Sequence, residues 1–82
     1  MGHGSHELKL EIQKNLDRMR TMRDEVRVQL HLAGMDVRDE WNRLEPHLVE
    51  VERVAQEFTD ASKTALDGAL KRLEALRSSM LS

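Results

Sequence analysis

The chain has 82 residues, 34% of them charged, a net charge of −2, one Pro, four Gly, no Cys, and Trp41 and Phe58 as its aromatic residues. That length sets a ceiling of one small domain, the missing cysteines exclude a disulfide framework and a thiolate zinc site, and the scarcity of strand formers excludes a sandwich or barrel. No apolar run approaches the ~20 residues that span a bilayer and the first residues lack the parts of a signal peptide, so a cytoplasmic protein without stable membrane insertion is expected.

Residues 1–6, Met-Gly-His-Gly-Ser-His, read as a flexible lead consistent with a cloning remnant, and residues 7–81 as a single helical domain. From Leu8 the apolar residues recur three or four apart: Leu8, Ile12, Leu16, Met19, Met22, Val26, Leu30, Ala33, Val37, Trp41, Leu44, Leu48, Val51, Ala55 and Phe58. This is the helical period, not the strand period. The stripe continues through Ser62, Ala65 or Leu66, Ala69, Leu73, Leu76 and Met80.

Much of it repeats by elevens, as in Leu8, Met19, Leu30 and Trp41, or Met22, Ala33, Leu44, Ala55 and Leu66. An eleven-residue repeat suits nearly straight helices with a slight right-handed drift. Acidic residues precede basic ones by three or four positions in Glu11 and Lys14, Asp17 and Arg20, Asp39 and Arg43, Glu50 and Arg53, and Asp67 and Lys71. Each such pair adds ~0.2–0.5 kcal/mol to a helix.

A single rod of this length would reach about 110 Å at 1.5 Å per residue, so the chain is expected to fold back. Pro46 removes a backbone donor and pushes Glu45 toward an extended conformation, and a turn at 44–46 gives two nearly equal arms. Gly34 is the alternative, as a left-handed residue after Ala33 with Asp36 capping the next helix, a turn at 34–36; Thr59 and Asp60 mark a third, weaker site. The spacing thus predicts an all-α fold, a long antiparallel coiled-coil-like hairpin turning near Pro46. One seam between two helices buries little, so two hairpins are expected to dimerise into a four-helix bundle.

The interface of that assembly would be the stripe itself: Leu8, Ile12, Met19, Met22, Val26, Leu30, Val37, Trp41, Leu44, Leu48, Val51, Phe58, Leu66, Leu73 and Leu76. Charge supports an antiparallel arrangement, because residues 36–60 carry eight acids against three bases while 61–82 carry four bases against two acids. Trp41 and Phe58 read as core anchors, with a partner-binding role if the chain proved monomeric.

Residue types that carry chemistry do not converge. His3 and His6 have ligand-like spacing but no third ligand nearby, and His31 and His47 lack the Glu three residues earlier that bundle-type di-iron sites use. No metal or other cofactor is expected. Carboxylates such as Asp39 and Glu40, or Glu50 and Glu52, sit one or two apart and diverge around a helix. Neither a phosphate loop nor a nucleophile elbow occurs. Lys14, Arg18, Arg20, Arg23 and Arg27 form the densest basic stretch, but Asp17, Asp24 and Glu25 interleave with it and no aromatics accompany it, so nucleic acid is not the expected partner.

The run Arg23-Asp24-Glu25-Val26-Arg27-Val28-Gln29-Leu30-His31-Leu32-Ala33-Gly34-Met35-Asp36, continuing through Asp39-Glu40-Trp41 to Leu44-Glu45, resembles a stretch of small, uncharacterised bacterial all-helical proteins. The resemblance covers about residues 23–45, implies a bacterial stand-alone protein and carries no activity. The expected function is therefore a non-enzymatic structural or protein-protein interaction module that forms a homo-oligomer, a dimer first of all. The alternatives are a regulatory or adaptor module whose stripe binds a different protein, and an amphipathic lipid-surface binder.

Overall fold

A computed structural model describes the backbone of residues 2–81 and the side chains of residues 6–80. Three helices, and no strand among the described residues, make up the fold: α1 (Gly2–Gln29), α2 (Met35–Ala55) and α3 (Asp60–Leu81), with a 3-10 turn at Leu30–Leu32 between the first two. The molecule measures 49 × 18 × 15 Å, and its long axis is close to the ~42 Å of a 28-residue helix.

The all-α expectation holds, but the architecture is three helices where a two-helix hairpin was expected, and the chain turns at both of the less favoured places. Pro46 lies inside α2. It sits on the exposed side of that helix, with Asn42 also exposed, so the carbonyl that loses its donor faces water. The opposite face of α2, Trp41, Leu44, Leu48, Val51 and Ala55, is buried without interruption across the proline. Burial at ~1.5–3 kcal/mol per large side chain outweighs the ~3 kcal/mol cost of an interior proline.

The first turn uses Gly34 differently from the sequence expectation. Ala33 is extended (φ −85°, ψ 156°) and Gly34 is extended too (φ −71°, ψ 171°), serving as the residue before α2 rather than as a left-handed cap. Gly34 accepts the Arg38 amide on its carbonyl at 3.1 Å. Asp36 lies in the first turn of α2, where its charge suits the helix dipole. The Arg38 guanidinium donates to the carbonyl of His31 (3.1 Å), an acceptor that the end of a helix leaves open, and to that of Leu30 (3.4 Å), which also accepts the Ala33 amide at 3.0 Å.

The second turn, residues 56–59, is tied by local chemistry. The Thr59 amide donates to Ser62 Oγ (2.9 Å), the Ser62 amide donates to Thr59 Oγ1 (3.1 Å), and Ser62 Oγ donates to the Thr59 carbonyl (2.8 Å). This is a reciprocal capping box with Ser in place of Glu at the third helical position. Phe58, before it, adopts φ 51°, a left-handed conformation that costs a non-glycine residue ~1–2 kcal/mol. Its half-buried ring packs on the core, and Lys9 Nζ stands 5.3 Å from the ring centroid.

Cross-helix pairs define the directions. Glu11 with Lys63 (3.4 Å), Arg18 with Glu74 (2.8 Å) and Glu25 with Arg77 (3.3 Å) set α1 parallel to α3, whereas Arg20 with Glu52 (2.6 Å) and Arg27 with Glu45 (3.6 Å) set α1 antiparallel to α2. α3 packs closely on both other helices, while α1 and α2 meet less closely and long Arg and Glu side chains bridge them. At the N-terminus, α1 opens at Gly2. Once Leu8 and Ile12 anchor the helix, each further residue adds a hydrogen bond without a new nucleus.

Candidate interaction surface

The stripe proposed as an interface is first of all the core of one chain. Ile12, Met19, Met22, Val26, Trp41, Leu44, Leu48, Val51, Leu66, Leu73 and Leu76 are buried, and Leu8, Leu30, Val37 and Phe58 are half-buried against them. Leu16, Ala55, Ala69 and Leu70 complete the core. Three helices give each stripe two neighbours, so the area that a hairpin would need from a second copy comes here from α3.

The basic stretch is similarly occupied. Arg18, Arg20 and Arg27 meet Glu74, Glu52 and Glu45, and Arg23 Nη1 lies 3.4 Å from Glu52. The Arg20 guanidinium, hydrogen-bonded to Glu52, holds that carboxyl below its usual range, with Arg23 adding to the effect. Arg23 Nε is buried without a hydrogen-bond partner, a cost accepted where one carboxylate serves two guanidiniums. On the outside of α2, Arg53 lowers the Glu50 carboxyl in the same way.

His31 and His47 are exposed, and no group of three or more His, Cys, Asp or Glu among the described residues could hold a metal ion. The His3 side chain lies outside the described residues. Asp39, Glu40 and Glu50 are exposed on α2 and do not converge with one another on a pocket; a shallow groove between α2 and α3 has Glu40, Leu44, Arg72, Ala75, Leu76 and Ser79 as its walls. No helix among the described residues is long and apolar enough to cross a membrane.

Among the described residues the fold leaves five large apolar side chains exposed: Leu10 on α1, Val49 on α2, and three toward the end where α1 turns into α2. Val28, Leu32 and Met35, at the end of α1, in the 3-10 turn and at the start of α2, are 68%, 80% and 77% exposed. Leu30, Val37 and Met80 at the same end are only half-buried, and Met80 shares a small groove with Gln29, Leu32 and Ala33. The core thus closes along the length of the bundle and is half-covered at both ends, by Leu8, Phe58 and Ala65 at one and by Leu30, Val37 and Met80 at the other, where α1 turns into α2. The stripe pattern passes over Val28, Leu32 and Met35 because they lie off its face. Their own spacing of four and three was the signal available, a short second apolar series beside the first.

Comparison with known protein families, with curated proteins and with solved structures finds no match for this chain.

Proposed function

We propose that this protein is a non-enzymatic interaction module that self-associates, and that the end where α1 turns into α2 is the contact. The observation that supports this reading is the concentration of large apolar side chains, Val28, Leu32 and Met35, exposed beside the half-buried Leu30, Val37 and Met80. Single exposed apolar residues are ordinary, whereas several within eight residues of one turn favour a contact there.

The magnitude sets the kind of association. Covering the three exposed side chains contributes roughly 3–7 kcal/mol per copy, from ~1.5–3 kcal/mol for each fully buried side chain. Two copies together approach the ~4–15 kcal/mol cost of bringing two molecules together. The dimer is therefore weak and concentration-dependent, with a stable monomer fold on either side of it.

Light scattering over a concentration series, on the wild type and on the double variant Leu32→Glu, Met35→Glu, tests this. The wild type is expected to pass from monomer to dimer, and the variant to stay monomeric with unchanged helicity, since both side chains are exposed in the monomer. A wild type that stays monomeric up to millimolar concentration would overturn the reading.

A further inference from the structure

The turn between α1 and α2 carries a regularity that a closed turn does not require. Core residues continue at helical spacing straight through it, as Val26, Leu30, Ala33, Val37, Trp41 and Leu44. Several core residues of α1 and α2 are also placed symmetrically about the Ala33 to Gly34 bond, with Leu44 and Met22 as exceptions that fall opposite Arg23 and Glu45. Leu30 mirrors Val37, Val26 mirrors Trp41, Met19 mirrors Leu48, and Ile12 mirrors Ala55. Mirror symmetry alone would be satisfied by antiparallel packing within one chain. Helical phase through the turn is a separate property, and it keeps the core faces of α1 and α2 on one side of a single helix.

The hinge itself is slight. Only Ala33 and Gly34 lie outside helical structure, both have ordinary negative φ values, and a Cβ on Gly34 would meet nothing within 4 Å. The carbonyl of His31 is held by the Arg38 side chain, a substitute for the backbone donor that a continuing helix would supply, and that of Leu30 by Arg38 together with the Ala33 amide.

We infer that two copies of this chain exchange α1: the hinge straightens, α1 and α2 join into one helix over 2–55, and α1 of each copy packs on α2 and α3 of the other. The inference rests on the self-association proposed above only in taking a second copy as the partner; Val28, Leu32 and Met35 lie off the core face of the joined helix and are not its contact. A mirror-symmetric pattern makes the interface the same patch on both copies, as a closed two-fold dimer demands. In-phase helical spacing lets the joined helix face the shared core along its whole length. Every core contact and every pair from Glu11 with Lys63 to Glu25 with Arg77 re-forms between chains, so the exchange loses little apart from the hinge contacts. At the two-fold centre the half-buried core residues meet, Leu30 of one copy beside Val37 of the other.

Gly34 allows the equilibrium to be pushed in both directions. Gly34→Ala fits the closed turn sterically and favours helix through the hinge in both chains, so the dimer dissociation constant is expected to fall on the order of tenfold. Gly34→Pro suits the closed turn, where φ is −71° and Ala33 is extended, but proline inside a continuous helix clashes with the preceding turn. It is expected to raise the dissociation constant by more than about a hundredfold.

The direct readout is carbodiimide coupling of Lys63 to Glu11, whose charged atoms are 3.4 Å apart, in a dimer assembled from equal amounts of isotopically light and heavy chains. Exchange predicts mixed light-heavy Lys63 to Glu11 peptides from the dimer and unmixed ones from the monomer. A dimer that gives only unmixed peptides, or that forms equally well with Gly34→Pro, would overturn the exchange while leaving self-association standing. Absence of any dimer in wild type and in Gly34→Ala would overturn both.

Discussion

Replacing Pro46 by Ala should make this protein more stable. Pro46 sits in the interior of α2 on its exposed face, so the substitution removes no buried contact. It restores the amide that a helix would donate to the Asn42 carbonyl, and it relieves a clash with the preceding turn, together worth ~3 kcal/mol. Against this, losing a proline gives the unfolded chain ~0.4–1 kcal/mol more conformational freedom. The net gain is about 2 kcal/mol, or roughly 8–16 °C in Tm for a domain of this size. Thermal and urea unfolding followed by circular dichroism, with helicity recorded at 20 °C as a control, measures it. A lower Tm for Pro46→Ala would refute the reasoning, because it would mean that the proline terminates a helix and shapes a turn, as the two-arm hairpin requires.

Three further expectations concern the forces that hold the bundle. Leu73→Ala, at a fully buried position, should cost ~2–5 kcal/mol in urea unfolding, whereas Leu10→Ala, at an exposed one, should stay within ~0.5 kcal/mol. Ser62→Ala removes the hydroxyl that accepts from the Thr59 amide and donates to the Thr59 carbonyl, and a loss of about 1–2 kcal/mol is expected by the same assay. Glu52→Gln should cost about 1–2 kcal/mol at pH 7, between the values for exposed and buried ion pairs. Because the folded Glu52 carboxyl lies below its usual range, its contribution is full above the unfolded carboxylate value near ~4.3. It is lost as pH falls through the lower folded value, so the difference between Glu52→Gln and wild type should shrink on acidification below about pH 4.

The helices and the buried face were legible in the sequence because both depend on spacing alone. Leu8 through Leu76 fall on one stripe, and the structure buries or half-buries every residue of it that was named as an interface. The turns were not legible to the same degree, since each is settled by a balance that spacing does not contain. Pro46 carries the strongest local signal for a break, yet its exposed setting and the buried residues on both sides of it let the helix run on. Thr59 and Ser62 carry a weaker signal, a capping box without an acidic partner, yet their hydroxyls and amides close on one another. Phe58 gives no sequence warning of a left-handed backbone, because packing of its ring holds it there.

The number of helices decides what the stripe does. Two helices would leave it waiting for a second copy, while a third covers it, so that the large apolar side chains still exposed are off the stripe, Val28, Leu32 and Met35 at one end with Leu10 and Val49 elsewhere. Those residues escaped the periodic reading because they lie beside the main stripe rather than on it. The basic stretch likewise changes meaning once folded, since Arg18, Arg20 and Arg27 each find a carboxylate on a neighbouring helix.

The most direct test of the three-helix fold is zero-length carbodiimide coupling of the monomeric wild-type protein, followed by mapping of the joined peptides. The fold predicts a Lys63 to Glu11 isopeptide within one chain, from groups 3.4 Å apart. In a two-helix hairpin turning at residue 45 the same residues would sit about 24 Å apart along the axis at 1.5 Å per residue. Failure to couple them in the monomer, with Glu11 joined elsewhere instead, would contradict the fold and the contact proposed where α1 turns into α2.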